Sequence, residues 1–304
     1  MLSPLVAFIR MSRPHFLAGG FLLYALGALI ARWQGYVLDF GAYWAGQLFV
    51  TGVQLMTHYL NEYWDVDTDQ LNQSRTPFSG GSGMLGPDGI PREAAFTAAV
   101  ACLAVASAAA IWLMFEYAIG AGALALMALI FLGAYFYSSP PLELVKTGFG
   151  ELVASVVVAG FVPGLGHILQ TGIPSLLVVQ ATGPLVVFHF AMLVAFEFPD
   201  FLSDEATGKT TILVRLGRRR GAGLHNWALI LAMGLAVAGT FASLPAEVAL
   251  AVVIASPLIL LQISNIRRLQ RGDPISFSRI TFLAVVIFAL TSYFMAFSFW
   301  ALNA

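Results

Sequence analysis

Long apolar stretches separated by short polar ones dominate the chain from position 14 onward. Charge-poor runs occupy 14–31, 40–60, 94–115, 117–137, 152–170, 176–196, 224–244, 248–264 and 280–302. Each is close to the roughly 20 residues that carry an α-helix across a hydrocarbon core. Pro163, Pro184 and Pro257 fall inside these runs, and membrane helices absorb such prolines as kinks. The pattern therefore predicts an all-α, polytopic membrane protein with nine transmembrane helices.

The polar intervals are unequal. Those at 61–93, 199–223 and 265–279 are long and share one side of the predicted membrane, whereas the intervals on the other side are short. Function is expected on the side with the long intervals. The first of them contains Ser74, Arg75, Thr76, Pro77, Phe78, Ser79, Gly80, Gly81, Ser82 and Gly83, a composition that excludes continuous helix and predicts a folded cap or a mobile lid. No interval leaves room for an appended soluble domain, so 1–304 reads as one transmembrane domain. Positions 61–69 and 197–204 each place an acidic motif after a span, a weak sign of an internal repeat.

Charge sets the orientation. With nine crossings, one side holds Arg10, Arg13, Arg75, Arg92, Lys146, Lys209, Arg215, Arg218, Arg219, Arg220, Arg267, Arg268, Arg271 and Arg279, and the other holds only Arg32. Lys and Arg accumulate in short cytoplasmic loops, which predicts a cytoplasmic N-terminus and a functional face toward the cytoplasm of the cell (inner) membrane. Composition agrees. The chain is 59% hydrophobic and 10% charged, against roughly 25% charged in soluble domains. A net charge of −1 implies neither nucleic acid nor an anionic membrane surface as partner. Cys102 is the single cysteine, so intramolecular disulfides are excluded. The first apolar run follows Arg13 at full helix length and reads as a permanent span, not a cleaved signal.

The candidate chemistry sits at two span ends. The chain reads Asn61-Glu-Tyr-Trp-Asp65-Val-Asp67-Thr-Asp69 after the second span, and Glu197-Phe-Pro-Asp200-Phe-Leu-Ser-Asp204-Glu205 after the sixth. If helix continues, Asn61, Asp65 and Asp69 share one face, as do Glu197, Asp200 and Asp204. Like charges so spaced repel, and carboxylates at a membrane boundary are costly to desolvate, so a cation must offset them. Oxygen ligands without a His or Cys set favour Mg²⁺, which is usually completed by water and substrate phosphates. A diphosphate is the natural ligand, with Lys209 and Arg75 as nearby bases. Arg218, Arg219 and Arg220 read as positive-inside anchors, and His58 and His189 as interhelical hydrogen-bonding groups.

The motifs N-x-x-x-D-x-x-x-D at Asn61, Asp65 and Asp69 and D-x-x-x-D at Asp200 and Asp204, on a nine-helix pattern, resemble the UbiA superfamily of intramembrane prenyltransferases. The resemblance implies helices around a central cavity, Mg²⁺ held by Asn61, Asp65, Asp69, Asp200 and Asp204, and a polyprenyl diphosphate bound with Lys209. It also implies a tunnel between helices for the hydrocarbon tail. Gly80 to Gly83, Phe149-Gly150-Glu151-Leu152 and the run from Asp204 to Gly217 are similar to the branch that prenylates 1,4-dihydroxy-2-naphthoate in menaquinone biosynthesis. Glu197-Phe198-Pro199 and the Tyr137-Ser-Ser-Pro-Pro141 turn depart from that pattern, which leaves 4-hydroxybenzoate, homogentisate, haem, chlorophyllide and glycerol-phosphate acceptors open.

In such chemistry the metal and the bases Lys209 and Arg75 stabilise charge growing on the departing diphosphate. Aromatic faces from Tyr59, Tyr63, Trp64, Tyr137, Phe196 and Phe198 are candidates to shield the allylic cation. Glu151 is a candidate to take the acceptor's proton or orient the acceptor, and Tyr137 and Glu197 to contact substrate. Two other classes fit parts of the pattern: a cation-coupled secondary transporter, whose acids would be expected nearer the midplane in paired halves, and a non-catalytic lipid-binding or assembly protein.

Overall fold

The protein is described by a computed structural model covering residues 4–86 and 89–303, so positions 87 and 88 of the glycine-rich interval lie outside the described residues. Its helices follow in the order α1 (Pro4–Met11), α2 (Pro14–Trp33), α3 (Phe40–Leu71), α4 (Arg92–Glu116), α5 (Ala121–Ser138), α6 (Gly150–Val156), α7 (Val162–Thr171), α8 (Leu176–Ala206), α9 (Ile212–Thr240), α10 (Ala246–Gln270) and α11 (Phe277–Leu302). A π-helical turn, Val157–Phe161, joins α6 to α7 without a loop. The described residues form no strand beyond an isolated bridge between Leu85 and Ile90.

Local signals set the helix ends. Pro14 opens α2 directly after Arg13, whose left-handed backbone (φ 48°) turns the chain out of α1. Asp39 caps α3 by accepting from the Ala42 amide at 3.0 Å. Gly172 closes α7 in the left-handed region.

Among the described residues, eight helical segments are long and apolar enough to cross a membrane, with α6 and α7 counted as one. The predicted span at 40–60 lies within α3, which at 32 residues is the longest helix but is less apolar because it carries Gln47, Gln54 and His58. These polar groups find partners inside the protein: Gln47 donates to Thr51, Gln54 to the Phe16 carbonyl, and the His58 ring meets the Ser12 carbonyl at 2.9 Å. Internal partners of this kind are what a hydrocarbon solvent demands, although Gln47 Oε1 stays buried without a donor.

The three long intervals expected between spans are shorter than predicted, because helix continues into them. Helix α3 runs to Leu71, α8 passes through Pro199 to Ala206, and α10 reaches Gln270. The interval after the sixth span shrinks to a connector at 207–211, and the arginine run 218–220 belongs to α9, which is kinked at Gly217 (φ 74°, ψ 155°).

Helix pairs α3–α4, α8–α9 and α2–α7 make the most extensive contacts. The α2–α7 pair touches backbone to backbone. A Cβ on Gly27 would sit 1.9 Å from the Pro163 carbonyl oxygen, and one on Gly166 would sit 2.2 Å from that of Tyr24. Small residues permit such approach where lipid supplies no hydrophobic drive between helices.

Candidate active site

Between the helices lies a cavity of about 600 Å³. One end is polar. Asn61, Asp65 and Asp69 face it from the last turns of α3, and Glu197, Asp200 and Asp204 face it from the last turns of α8. The rest of the wall is mostly apolar and runs toward the middle of the spans through Val50, Ile130, Val157, Val162, Met192 and Phe288. Continuation of helix through both acidic segments is what turns each i, i+4 series toward one space.

Lys209 bridges the two acidic columns. Its Nζ lies 2.9 Å from Asp65 Oδ1 and 3.8 Å from Asp204 Oδ1, and all three side chains are 8% exposed or less. The connector holds it there, with the Lys209 amide donating to the Asp204 carbonyl at 2.9 Å. Burial works against its charge, but Asp65 and Asp204 outweigh burial and hold the Lys209 pKa above the ordinary lysine value. Neutral amides complete the columns. Asn61 donates to Asp65 Oδ2 and Asn72 to Asp200 Oδ1, each at 2.6 Å.

The glycine-rich segment folds back onto α3. Ser82 donates to Glu62 through its amide (2.9 Å) and its hydroxyl (2.6 Å), and Arg13 donates to the same carboxylate at 2.6 Å. Gly81, at φ 70°, lies so close to the acidic column that an added Cβ would be 2.1 Å from Asp69 Oδ2. Only glycine fits that conformation and that distance together. The expected cap is thus an ordered fold across the acidic end, with Ser79, Gly80 and Gly81 lining the cavity.

Some sequence expectations place differently. Arg75 is exposed, donates to the Asp69 carbonyl at 2.8 Å and does not line the cavity. Arg13 takes the lining position instead, from the start of α2, and also reaches Asn61 Oδ1 at 3.2 Å. Sequence offered no cue to it, since its partner Glu62 is 49 residues away. Tyr59, Tyr63, Trp64 and Phe198 lie away from the cavity, because their helix faces turn to neighbouring helices, and Tyr63 instead stacks under Arg92. Phe16 and Phe78 take up the aromatic lining with Phe196. The Phe78 and Phe196 rings stack at 6.4 Å, and Phe16 is 6.1 Å from Phe196. Tyr137, Glu151, His58 and His189 all line the cavity. The His189 ring meets Ser155 Oγ at 3.0 Å, an interhelical contact as expected.

The donor set suits a hard cation shared with a substrate. Asp65 Oδ1 is buried and meets only the Lys209 ammonium, 2.9 Å away. Among the described residues, no three His, Cys, Asp or Glu side chains close into a cage by themselves. Oxygen ligands on two opposed helix ends fit an ion whose remaining positions are filled by water and phosphate.

Comparison with known proteins agrees with this geometry. The homogentisate phytyltransferase of Synechocystis sp. (strain ATCC 27184 / PCC 6803 / Kazusa) is 27% identical over 275 residues, covering 83% of this chain and 82% of that protein. The 1,4-dihydroxy-2-naphthoate octaprenyltransferase of Bacillus subtilis (strain 168) is 24% identical over 237 residues, covering 76% and 73%. The solved structure of a UbiA homolog from Archaeoglobus fulgidus bound to GPP and Mg²⁺ shares the fold, with a TM-score of 0.66, 16% identity and coverage of 98% of this chain and 99% of that one. The UbiA prenyltransferase family profile matches residues 21–286, and the chain belongs to this family, which sets aside the transporter and the non-catalytic lipid-binding alternatives.

Proposed function

We propose that this prenyltransferase moves a prenyl group from a polyprenyl diphosphate to a small aromatic acceptor, with 1,4-dihydroxy-2-naphthoate as the favoured acceptor and menaquinone biosynthesis as the setting. The observation that carries the reading is the pair of opposed acidic columns, bridged by Lys209 at the mouth of an apolar cavity. Two relatives named for hydroxylated aromatic acceptors support the acceptor class. Segregation of the basic residues supports an acidic end facing the cytoplasm from the cell membrane.

Each group has a role in this reading. Asn61, Asp65, Asp69, Asp200 and Asp204 would hold Mg²⁺, which when bound neutralises diphosphate oxygens and favours their departure. Lys209 and Arg13 add positive charge on the same side, positioned before the reaction begins. Arg75 holds the end of α3 through the Asp69 carbonyl. The hydrocarbon tail follows the apolar wall. As the bond from the allylic carbon to oxygen breaks, its electron pair leaves with diphosphate, and the ring faces of Phe16, Phe78 and Phe196 shield the carbon left electron-poor. An electron-rich ring carbon of the acceptor then forms the new carbon–carbon bond and loses a proton, or its carboxyl group as CO₂. Glu151 receives that proton or orients the ring, and Tyr137 and Glu197 contact the acceptor. The segment at 79–83 keeps water from the electron-poor carbon.

Purified protein in detergent, given geranylgeranyl diphosphate, Mg²⁺ and 1,4-dihydroxy-2-naphthoate, should release diphosphate and form a prenylated naphthalene product. Asp65→Ala and EDTA should each abolish both. Transfer that persists in EDTA, or in Asp65→Ala, would reject the assignment of the columns.

A further inference from the structure

Outside the cavity, charge is spread very unevenly. Between positions 215 and 279 stand eight arginines against two acids, Glu247 and Asp273. Glu247 lies in the first turn of α10, at the far end of that helix from Arg267 and Arg268. The net charge of −1 therefore hides a basic strip formed by the start of α9, the end of α10 and the start of α11. Part of the strip is engaged within the protein. Arg215 donates to Thr210, Arg218 lies over the Phe201 ring at 4.6 Å, and Arg268 and Arg271 share Asp273 at 3.8 and 3.7 Å. The side chains of Arg219 and Arg267 have no partner among the described residues. With Gln270 and Arg271 they border a second cleft, of about 530 Å³, between α9 and α10. Gln270 Nε2 donates to the Arg219 carbonyl at 2.9 Å, which ties the two helix ends together there.

Membrane topology asks for basic residues on this side, not for their convergence on one cleft. The C-terminal end of α10 contributes about half a negative charge. With Asp273, it offsets fewer than half of the four charges on Arg219, Arg267, Arg268 and Arg271. The surplus calls for an anion, and three forked guanidiniums around one space suit a phosphate. Depth identifies its carrier. Arg219 stands just before the apolar run 224–244 and Arg267 just after 248–264, so the cleft lies at the membrane boundary. Helical spacing puts Ile230 on the α9 face of Arg219, and Leu260 and Val253 on the α10 face of Arg267. All three are exposed, Leu260 at 65%. A free anion would use the arginines alone, whereas a ligand with phosphate at the boundary and hydrocarbon below it uses both surfaces. We propose that the α9–α10 cleft binds the headgroup of an anionic phospholipid, with its acyl chains along these exposed faces. Basic pockets between membrane helices bind such headgroups. The site is separate from the prenyl-transfer cavity, and the proposal does not rest on the reaction or its acceptor.

Native mass spectrometry of the purified full chain tests the site. Released from detergent micelles doped with equal amounts of phosphatidylglycerol and phosphatidylcholine, the unaltered chain should retain phosphatidylglycerol preferentially. Arg219→Gln combined with Arg267→Gln should weaken retention of the first phosphatidylglycerol by about 30-fold, the loss of two basic contacts with an anionic headgroup. Arg10→Gln combined with Arg279→Gln removes the same charge outside the cleft and should leave retention close to the parent's. Arg219→Lys combined with Arg267→Lys should keep most of it. Equal retention of the two lipids by the unaltered chain would overturn the proposal without depending on any variant's folding. Equal losses in the two Gln pairs would reduce the cleft to diffuse surface charge and reject it as a site. Displacement of the lipid by millimolar inorganic phosphate would assign a free anion instead and overturn the lipid.

Discussion

Replacing Lys209 with Met keeps the side chain's length and removes its charge from between Asp65 and Asp204. The ammonium is 2.9 Å from one carboxylate and 3.8 Å from the other. At an effective dielectric of about 20, the nearer contact corresponds to a Coulomb energy of roughly 6 kcal/mol, much of it offset by desolvation of the ammonium. Breaking a buried pair by deleting one partner costs about 3–5 kcal/mol, because the surviving charge is left uncompensated. At the lower end of that range the loss is about 3 kcal/mol, or roughly a hundredfold in the folding equilibrium. Thermal unfolding in detergent with EDTA should therefore show Lys209→Met well below the unaltered chain. Millimolar Mg²⁺ should raise the variant more than the parent, since a divalent cation supplies the missing charge. Adding Asp65→Asn to the variant should also recover stability without metal. A variant as stable as its parent in EDTA, or a gap that Mg²⁺ leaves unchanged, would refute the view of Lys209 as counter-ion to both columns.

Three further outcomes follow from particular contacts. Gly81→Ala places a Cβ 2.1 Å from Asp69 Oδ2 at φ 70°, so the donor KM should rise by roughly tenfold with little loss of folded protein; an unchanged donor KM would count against the cap's contact with the column. Deleting residues 80–83 should increase diphosphate hydrolysis relative to prenyl transfer, and product partitioning equal to the parent would show that the segment does not exclude water. Arg13→Ala leaves the buried Glu62 charge with only the two Ser82 donors and should lower stability by about 3 kcal/mol; both Arg13 bonds, to Glu62 and Asn61, leave from Nη2, so Arg13→Lys, whose ammonium carries three donors, should recover most of the loss, and no recovery by Lys would argue for guanidinium shape over charge.

What could be read from the sequence was whatever repeats along one helix. Hydropathy placed the spans because lipid imposes a length on every helix, and the acidic columns showed because Asp65 and Asp69, like Asp200 and Asp204, recur every four residues beside charge-free runs. Helix ends were misplaced where charged residues continued a helix into a cavity instead of into water, as in the last turns of α3 and α8. Arg13, Phe16 and Phe78 escaped notice because nothing local distinguishes them. Arg13 matters through a carboxylate far along the chain, and Phe78 through a loop that folds back beside Phe196. Arg75 was misjudged because its nearness in sequence to Asp69 is used up in closing the end of α3.

The π-helical turn at Val157–Phe161 acts as a rotational phase adjuster. Each residue of an α-helix advances the azimuth by about 100°, so the side-chain directions at the two ends of a straight helix are locked together. Here the ends serve different neighbours: Glu151 must point into the cavity, while Gly166, on the far side of the turn, must present its bare backbone to Tyr24 of α2. A wider turn takes up one extra residue and lets both requirements hold. Wound as regular α-helix at the same length, 157–161 would rotate one end against the other by about a quarter turn. Either the carboxylate would leave the cavity or the α2–α7 seam would open. The turn thus lets the tight α2–α7 seam and the reactive face be set independently within one membrane crossing.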